Sequence, residues 1–148
     1  MERVGLFPGS FDPFTIGHDL IVRRALGLFD RVVIAIGVNR DKRQMFSLDE
    51  RQSTIERLYL DEPRISVATY EGLTSDFALA VGATHIIRGL RSAKDYEYER
   101  DMAIVNRRLA GIETVFLYTD PQYTAISSSL VRELIELGKD VEQFLPQR

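Results

Sequence analysis

The sequence predicts an α/β fold, a five-stranded parallel sheet covered by helices on both faces. Three observations lead there. Short apolar runs rich in β-branched residues recur at 3–8, 31–38, 64–69, 85–89 and 113–118, the pattern of strands buried on both sides. Stretches with helical spacing of apolar residues separate them, and strict strand–helix alternation favours parallel strands joined by right-handed crossovers. The first strand also runs directly into a glycine-bearing turn that opens a helix, at residues 9–18.

Each element has a local cause. Gly9 lets the chain turn at the end of the first strand, Asp12 and Pro13 favour a further turn, and Thr15 is placed to cap a helix beginning near Ile16. On that helix Ile21, Val22, Ala25, Leu28 and Phe29 form one apolar stripe, and Asp30 ends it before the second strand. Ser47 and Glu50 have the spacing of a capping box, so a second helix starts there with Ile55 and Leu58 inward. A short helix carrying Phe77, Ala78 and Val81 is expected after Thr74. A long one runs from about 93 to 109, with Tyr98, Met102, Val105 and Leu109 on a shared face. The last, 128–137, presents Leu130, Val131, Leu134 and Ile135, and Gly138 is placed to terminate it.

Bulk properties narrow the function. At 148 residues the chain is one domain, 1–148, able to bury roughly two-thirds of its unfolded surface. A net charge of −3 and a pI near 5.4 argue against a general nucleic-acid or anionic-membrane surface. Any phosphate site must therefore be local. The absence of cysteine removes disulfide and thiolate chemistry, and two histidines make a zinc site a poor expectation. No basic leader precedes an apolar run and no ~20-residue apolar stretch occurs, so a soluble, cytoplasmic protein is expected.

In parallel α/β sheets ligands bind beyond the carboxyl ends of the strands. That rule gathers the loops holding residues 9–18, 40–43, 72–74, 88–91 and 123–129 at one edge. His18, in a helical first turn behind Gly17, is placed to aim a ring nitrogen at a phosphate bound on free backbone N–H groups. Alone it would read as a surface histidine, but the glycine turn argues otherwise. Lys42 lies in a charge run, which is ordinarily a solvated loop. Arg88 and Arg91 flank Gly89 at a strand end and suit bidentate phosphate contacts, with ion pairing to nearby carboxylates as the plainer alternative. Glu99 has no cation three or four residues away, so no helical ion pair explains it; it is either solvated or an acceptor for a ribose or adenine donor. Glu97, with Lys94 and Arg100 at pairing distance, reads as structural, as does His85 at the start of a buried strand. Ser127, Ser128 and Ser129, followed by Arg132, exceed what a helix cap needs and would hold the outer phosphates of a nucleotide.

Several of these residues carry a resemblance: Gly9, Ser10, Phe11, Asp12 and Pro13 with Thr15, Gly17 and His18; Lys42 with Met45 and Phe46; Arg88, Gly89, Leu90 and Arg91; Asp95 to Glu99 with Asn106 and Arg107; and Ile126 before the serines. Over nearly the whole chain the sequence resembles the bacterial phosphopantetheine adenylyltransferases of the nucleotidyltransferase superfamily. The resemblance implies a Rossmann-like fold, AMP transfer from ATP to 4′-phosphopantetheine, Mg²⁺ carried on the ATP phosphates with no metal site of the protein's own, and a homohexamer. It assigns Ser10, Lys42, Thr74 and Arg88 to phosphopantetheine. To ATP it assigns Ser10, Phe11, His18, Gly89, Leu90, Arg91, Glu99, Tyr123, Thr124, Ala125, Ile126, Ser127, Ser128 and Ser129, with His18, Lys42 and Arg91 catalytic. The chain departs from the pattern in Ala125, where a larger residue is expected, in the serines, which sit one position early, and in stopping soon after Pro146. Transferases acting on nicotinate mononucleotide or on a phosphorylated alcohol, and a non-catalytic adenine-nucleotide sensor, remain rival readings. Whether coenzyme A feeds back on the site is left open by the sequence.

Overall fold

The computed structural model describes residues 1–147. The elements follow in the order β1 (Val4–Gly9), α1 (Ile16–Ala25), β2 (Arg31–Gly37), α2 (Leu48–Leu58), β3 (Ile65–Tyr70), α3 (Thr74–Ala80), β4 (His85–Leu90), α4 (Ala93–Ala110), β5 (Glu113–Tyr118) and α5 (Ser128–Glu136). Short 3₁₀ turns occupy Pro121–Tyr123 and Glu142–Phe144. All neighbouring strands are parallel, in the order β3-β2-β1-β4-β5. The expected five-stranded parallel sheet is therefore present. Among the described residues no helix is long and apolar enough to cross a membrane.

Alternate residues of the central strands feed two cores. Phe7, Val32, Ile34, Ile36 and Ile87 point to the face covered by α1 and α2, where Ile21, Val22, Ala25, Phe29 and Ile55 complete the cluster. Val4, Leu6, Val33, Ala35 and Ile86 point to the other, against Ala78, Ala83 and Ile112. Helix ends form as their sequences dictate. Ser47 and Glu50 make a reciprocal capping box, and Gly138, at φ 75°, closes α5 with Gly138 and Lys139 N–H groups donating to Ile135 and Leu134 carbonyls. The long helix departs from expectation. α4 buries none of its residues fully, and the face carrying Tyr98, Met102, Val105 and Leu109 is open to solvent.

The topology opens a crevice at a defined place. From β1 the chain winds to β2 and β3 on one side, then returns to β4 and β5 on the other, so the order reverses between β1 and β4. β1 pairs with β2 over six positions from Val4 to Gly9, but with β4 only at Gly5 and Leu6. Beyond Leu6 the two central strands splay, and the gap lies at their carboxyl ends.

Candidate active site

A cavity of about 420 Å³ fills that gap, walled by the ends of β1 and β4, the start of α1 and the start of α5. His18 is held there by backbone chemistry. Thr15 caps α1, its hydroxyl accepting the His18 N–H at 3.4 Å, while the His18 Nδ1 accepts the Thr15 N–H at 2.9 Å. Histidine thus occupies the place of the usual glutamate in a capping box. An Nδ1 that accepts cannot carry the proton, so the neutral ring bears it on Nε2. Burial, joined by the nearby Arg88 and Arg91 charges, pushes the His18 pKa down from 6.5 to about 3. Phe11 and Phe14 pack on the ring at centroid distances of 5.1 and 5.3 Å. The site therefore presents a fixed, neutral N–H donor at pH 7.

Cations and helix ends surround it. Arg88 donates from Nε and Nη2 to the Glu99 carboxylate, both at 2.8 Å, and from Nη1 to the Pro8 carbonyl at 2.7 Å. Three of its five N–H groups are used, leaving one on each terminal nitrogen. Burial alone would depress Arg88, but the Glu99 carboxylate overcomes this and holds its pKa above the usual arginine value. Arg91 lies 3.5 Å from Asp95, which also accepts the Arg91 backbone N–H. The ion pairing weighed as the plainer reading is thus realised for both arginines, although both still line the cavity. Lys42, exposed on a turn closed by its N–H to the Asn39 carbonyl, makes no ion pair among the described residues.

At α5, Ser127 caps the helix by accepting the Leu130 N–H, Ser128 donates to the Pro13 carbonyl at 2.7 Å, and Ser129 accepts from Arg132. Helix geometry leaves the Ser128 and Ser129 N–H groups without intrahelical acceptors, facing a cavity their residues line.

Not every expected residue reaches this space. Ser10, His18, Lys42, Arg88, Gly89, Arg91, Glu99, Ile126, Ser127, Ser128 and Ser129 line it. Thr74 instead lines two neighbouring cavities, of about 160 and 390 Å³, which share Pro8 and Arg88 with the first. Phe11 borders the main cavity, but the residue is only 3% exposed and its ring is locked between Phe7 and Phe14. Leu90 is buried as well, and Leu90, Tyr123, Thr124 and Ala125 are not among the lining residues. Glu99 has a cationic partner after all, from β4 rather than from its own helix. Glu97 forms no ion pair among the described residues, because Arg100 turns to Asp101. Thr119 lines the cavity without any local signal that assigns it there, and Asp95, marked only as the first residue of the acidic-aromatic run, lines it too. Arg132, which the sequence marks only by its place after the three serines, lines it too. It lies one turn into α5 and donates to the Asp12 carbonyl at 2.8 Å.

Comparison with known proteins accords with this geometry. Residues 6–134 match the cytidylyltransferase-like family model. The chain is 52% identical to the phosphopantetheine adenylyltransferase of Phocaeicola vulgatus, covering 98% of this chain and 96% of that protein. It is 53% identical to the protein of the same name from Porphyromonas gingivalis, covering 99% and 95%. Among solved structures, a bifunctional NMN adenylyltransferase/ADP ribose pyrophosphatase from Francisella tularensis superposes with a TM-score of 0.72 at 17% identity. That match covers 98% of this chain but 45% of the longer protein, and at such identity it speaks for the fold alone. With half its residues shared over almost its full length, the chain belongs to the phosphopantetheine adenylyltransferase family, within the cytidylyltransferase-like proteins.

Proposed function

We propose that the chain carries out the reaction its relatives are named for, moving AMP from ATP to 4′-phosphopantetheine to give dephospho-coenzyme A and pyrophosphate, the penultimate step of coenzyme A synthesis. The observation that carries this reading is the neutral His18 donor set between two helix N-termini and Arg88 and Arg91, in a cavity that adjoins two further cavities through Arg88. The main cavity takes the triphosphate. The neighbouring ones, reached past Arg88 and Thr74, take the acceptor.

The acceptor phosphate is itself the nucleophile, so no general base is required. One of its oxygens attacks the α-phosphorus of ATP in line, and the bond from that phosphorus to the bridging oxygen of pyrophosphate breaks. Catalysis rests on placement and on charge already in position. His18 Nε2–H donates to an α-phosphate oxygen as negative charge builds there. Lys42 bridges the attacking and α-phosphates, and Ser10 and the free N–H groups of Arg88 hold the acceptor. Arg91 and the Ser127–Ser128–Ser129 helix start hold the outer phosphates and the leaving pyrophosphate, while Gly89 and Ile126 border the nucleotide. Mg²⁺ arrives with ATP as part of the substrate. Among the described residues no group of three or more His, Asp or Glu side chains could hold a metal ion, and the cavity carboxylates Asp95 and Glu99 face arginines. A donor set of this kind fits a cation held mainly by phosphates and water. Assembly as a cytoplasmic homohexamer belongs to the same reading; the uncovered apolar face of α4 supports association with further copies but fixes neither their number nor the compartment.

The test is incubation with Mg²⁺-ATP and 4′-phosphopantetheine, reading pyrophosphate release and dephospho-coenzyme A by mass, with nicotinate mononucleotide as control acceptor. Product with phosphopantetheine alone is expected, and His18→Asn should slow it by about a hundred to a thousandfold. Product only with the control would overturn the acceptor assignment. ATP binding without turnover on either acceptor would favour a nucleotide sensor.

A further inference from the structure

The segment that carries Lys42 is fastened to the phosphate turn by two buried charged side chains that line none of the three cavities. Asp12, 2% exposed, accepts two consecutive backbone N–H groups, Met45 on Oδ2 at 2.9 Å and Phe46 on Oδ1 at 2.8 Å. Arg51, 6% exposed on α2, donates from Nε to the Phe46 carbonyl at 3.1 Å and from Nη1 to the Ser10 carbonyl at 2.7 Å. Phe46 is therefore gripped at both its N–H and its carbonyl. The grip ends on Ser10 and Asp12, in the same turn that leads to His18.

Lys42 has no such support of its own. Its side chain is exposed and without an ion pair among the described residues, and the turn that bears it is closed on the other side by Asn39, whose Oδ1 accepts the Asp41 N–H at 3.0 Å. The nearest fixed point after Lys42 is the Met45 N–H on Asp12. We propose that the Asp12 carboxylate, with Arg51, is a positioning group that sets where Lys42 stands relative to the His18 turn, acting on the rate chiefly through Lys42. The inference rests on the role given to Lys42 above. Charged hydrogen bonds to backbone groups are among the stronger ones available, and both side chains are shielded from water, which suits them to fixing a loop that is otherwise exposed.

A double-mutant cycle with Lys42→Ala separates this from simple structural support. Asp12→Asn keeps one acceptor but sets an amide N–H₂ against the other backbone N–H. Misplacement of about 1 Å in a positioned group costs on the order of a hundredfold in rate, so kcat should fall by about ten- to a hundredfold with the KM for ATP little changed. On the Lys42→Ala background the same substitution should cost less than about threefold, since there is no lysine left to misplace. An equal loss on both backgrounds overturns the proposal, whereas a Lys42→Ala variant that turns over at the wild-type rate overturns instead the role of Lys42. If Asp12→Asn does not fold, Arg51→Lys is read in the same cycle, because lysine keeps the charge but cannot span the Ser10 and Phe46 carbonyls. Should both variants fail to fold, the clamp serves folding rather than Lys42, and the proposal falls.

Discussion

His18→Asn tests whether the site donor is held neutral, and it does so without substrate. Asparagine retains an acceptor near the position of Nδ1 for the Thr15 N–H, but has no proton to gain. In the wild type the unfolded ring titrates at 6.5 and the folded ring at about 3. The folded state therefore refuses a proton that the unfolded state accepts, so the native chain has its full stability above pH 6.5 and loses part of it progressively as the pH falls toward 3. At pH 4.5, two units below the unfolded value, about 3 kcal/mol has gone, at about 1.4 kcal/mol per unit. The size of the loss hardly depends on the folded value so long as it lies well below 4.5. Carboxylates titrate in both proteins and cancel in the comparison. Urea unfolding of both at pH 7 and pH 4.5 should show the variant gaining about 3 kcal/mol on the wild type at the lower pH. A change under about 1 kcal/mol would mean that His18 protonates freely in the folded chain, and its role as a neutral Nε2–H donor would fail.

Lys42→Ala should leave stability within about 0.5 kcal/mol, as expected of an exposed residue without partners, while lowering turnover by about a hundredfold; matched urea melts and pyrophosphate assays decide it. Glu99→Gln removes the carboxylate from Arg88, whose side chain is 34% exposed against 12% for Glu99. The cost should fall near 2 kcal/mol, between surface and buried pairs, and KM for phosphopantetheine should rise more than KM for ATP; the reverse ranking would return Glu99 to the nucleotide. Gly9→Ala would set a Cβ 2.8 Å from two atoms of the Phe11 ring, which is buried and has nowhere to retreat. About 1–3 kcal/mol of stability should be lost, and turnover with it, because Phe11 packs edge-on against His18.

What the sequence reveals is what its local chemistry decides. All five strands lie within a residue or so of their apolar runs, and Thr15, Ser47 and Gly138 end their helices as their types require. The tautomer of His18 was within reach too, because Thr15 and His18 stand at capping-box spacing. Contacts across the fold were not. Helical spacing leaves Glu99 unpaired, because its partner Arg88 lies eleven residues back on a strand. Phe11 and Leu90 sit inside motifs expected to border a nucleotide, yet packing buries both residues. The Asp12 link to Met45 and Phe46 spans more than thirty residues and leaves no periodic trace. The apolar face of α4 was legible as a face, but not as one the monomer leaves uncovered.

A chain with net charge −3 concentrates its positive charge at one cavity by setting its carboxylates selectively. Within the cavity, Glu99 and Asp95 are each set against an arginine, whereas Lys42 and Arg132 face no carboxylate among the described residues, and two helix N-termini add their partial charges. Arg88 and Arg91 then do a second thing: their charges help to keep a proton off His18. The same cations that are proposed to attract phosphate thereby help to preserve the neutral N–H donor beside them. Removing either arginine should therefore weaken anion binding and let the His18 pKa rise together, a coupling that ordinary surface arginines would not show.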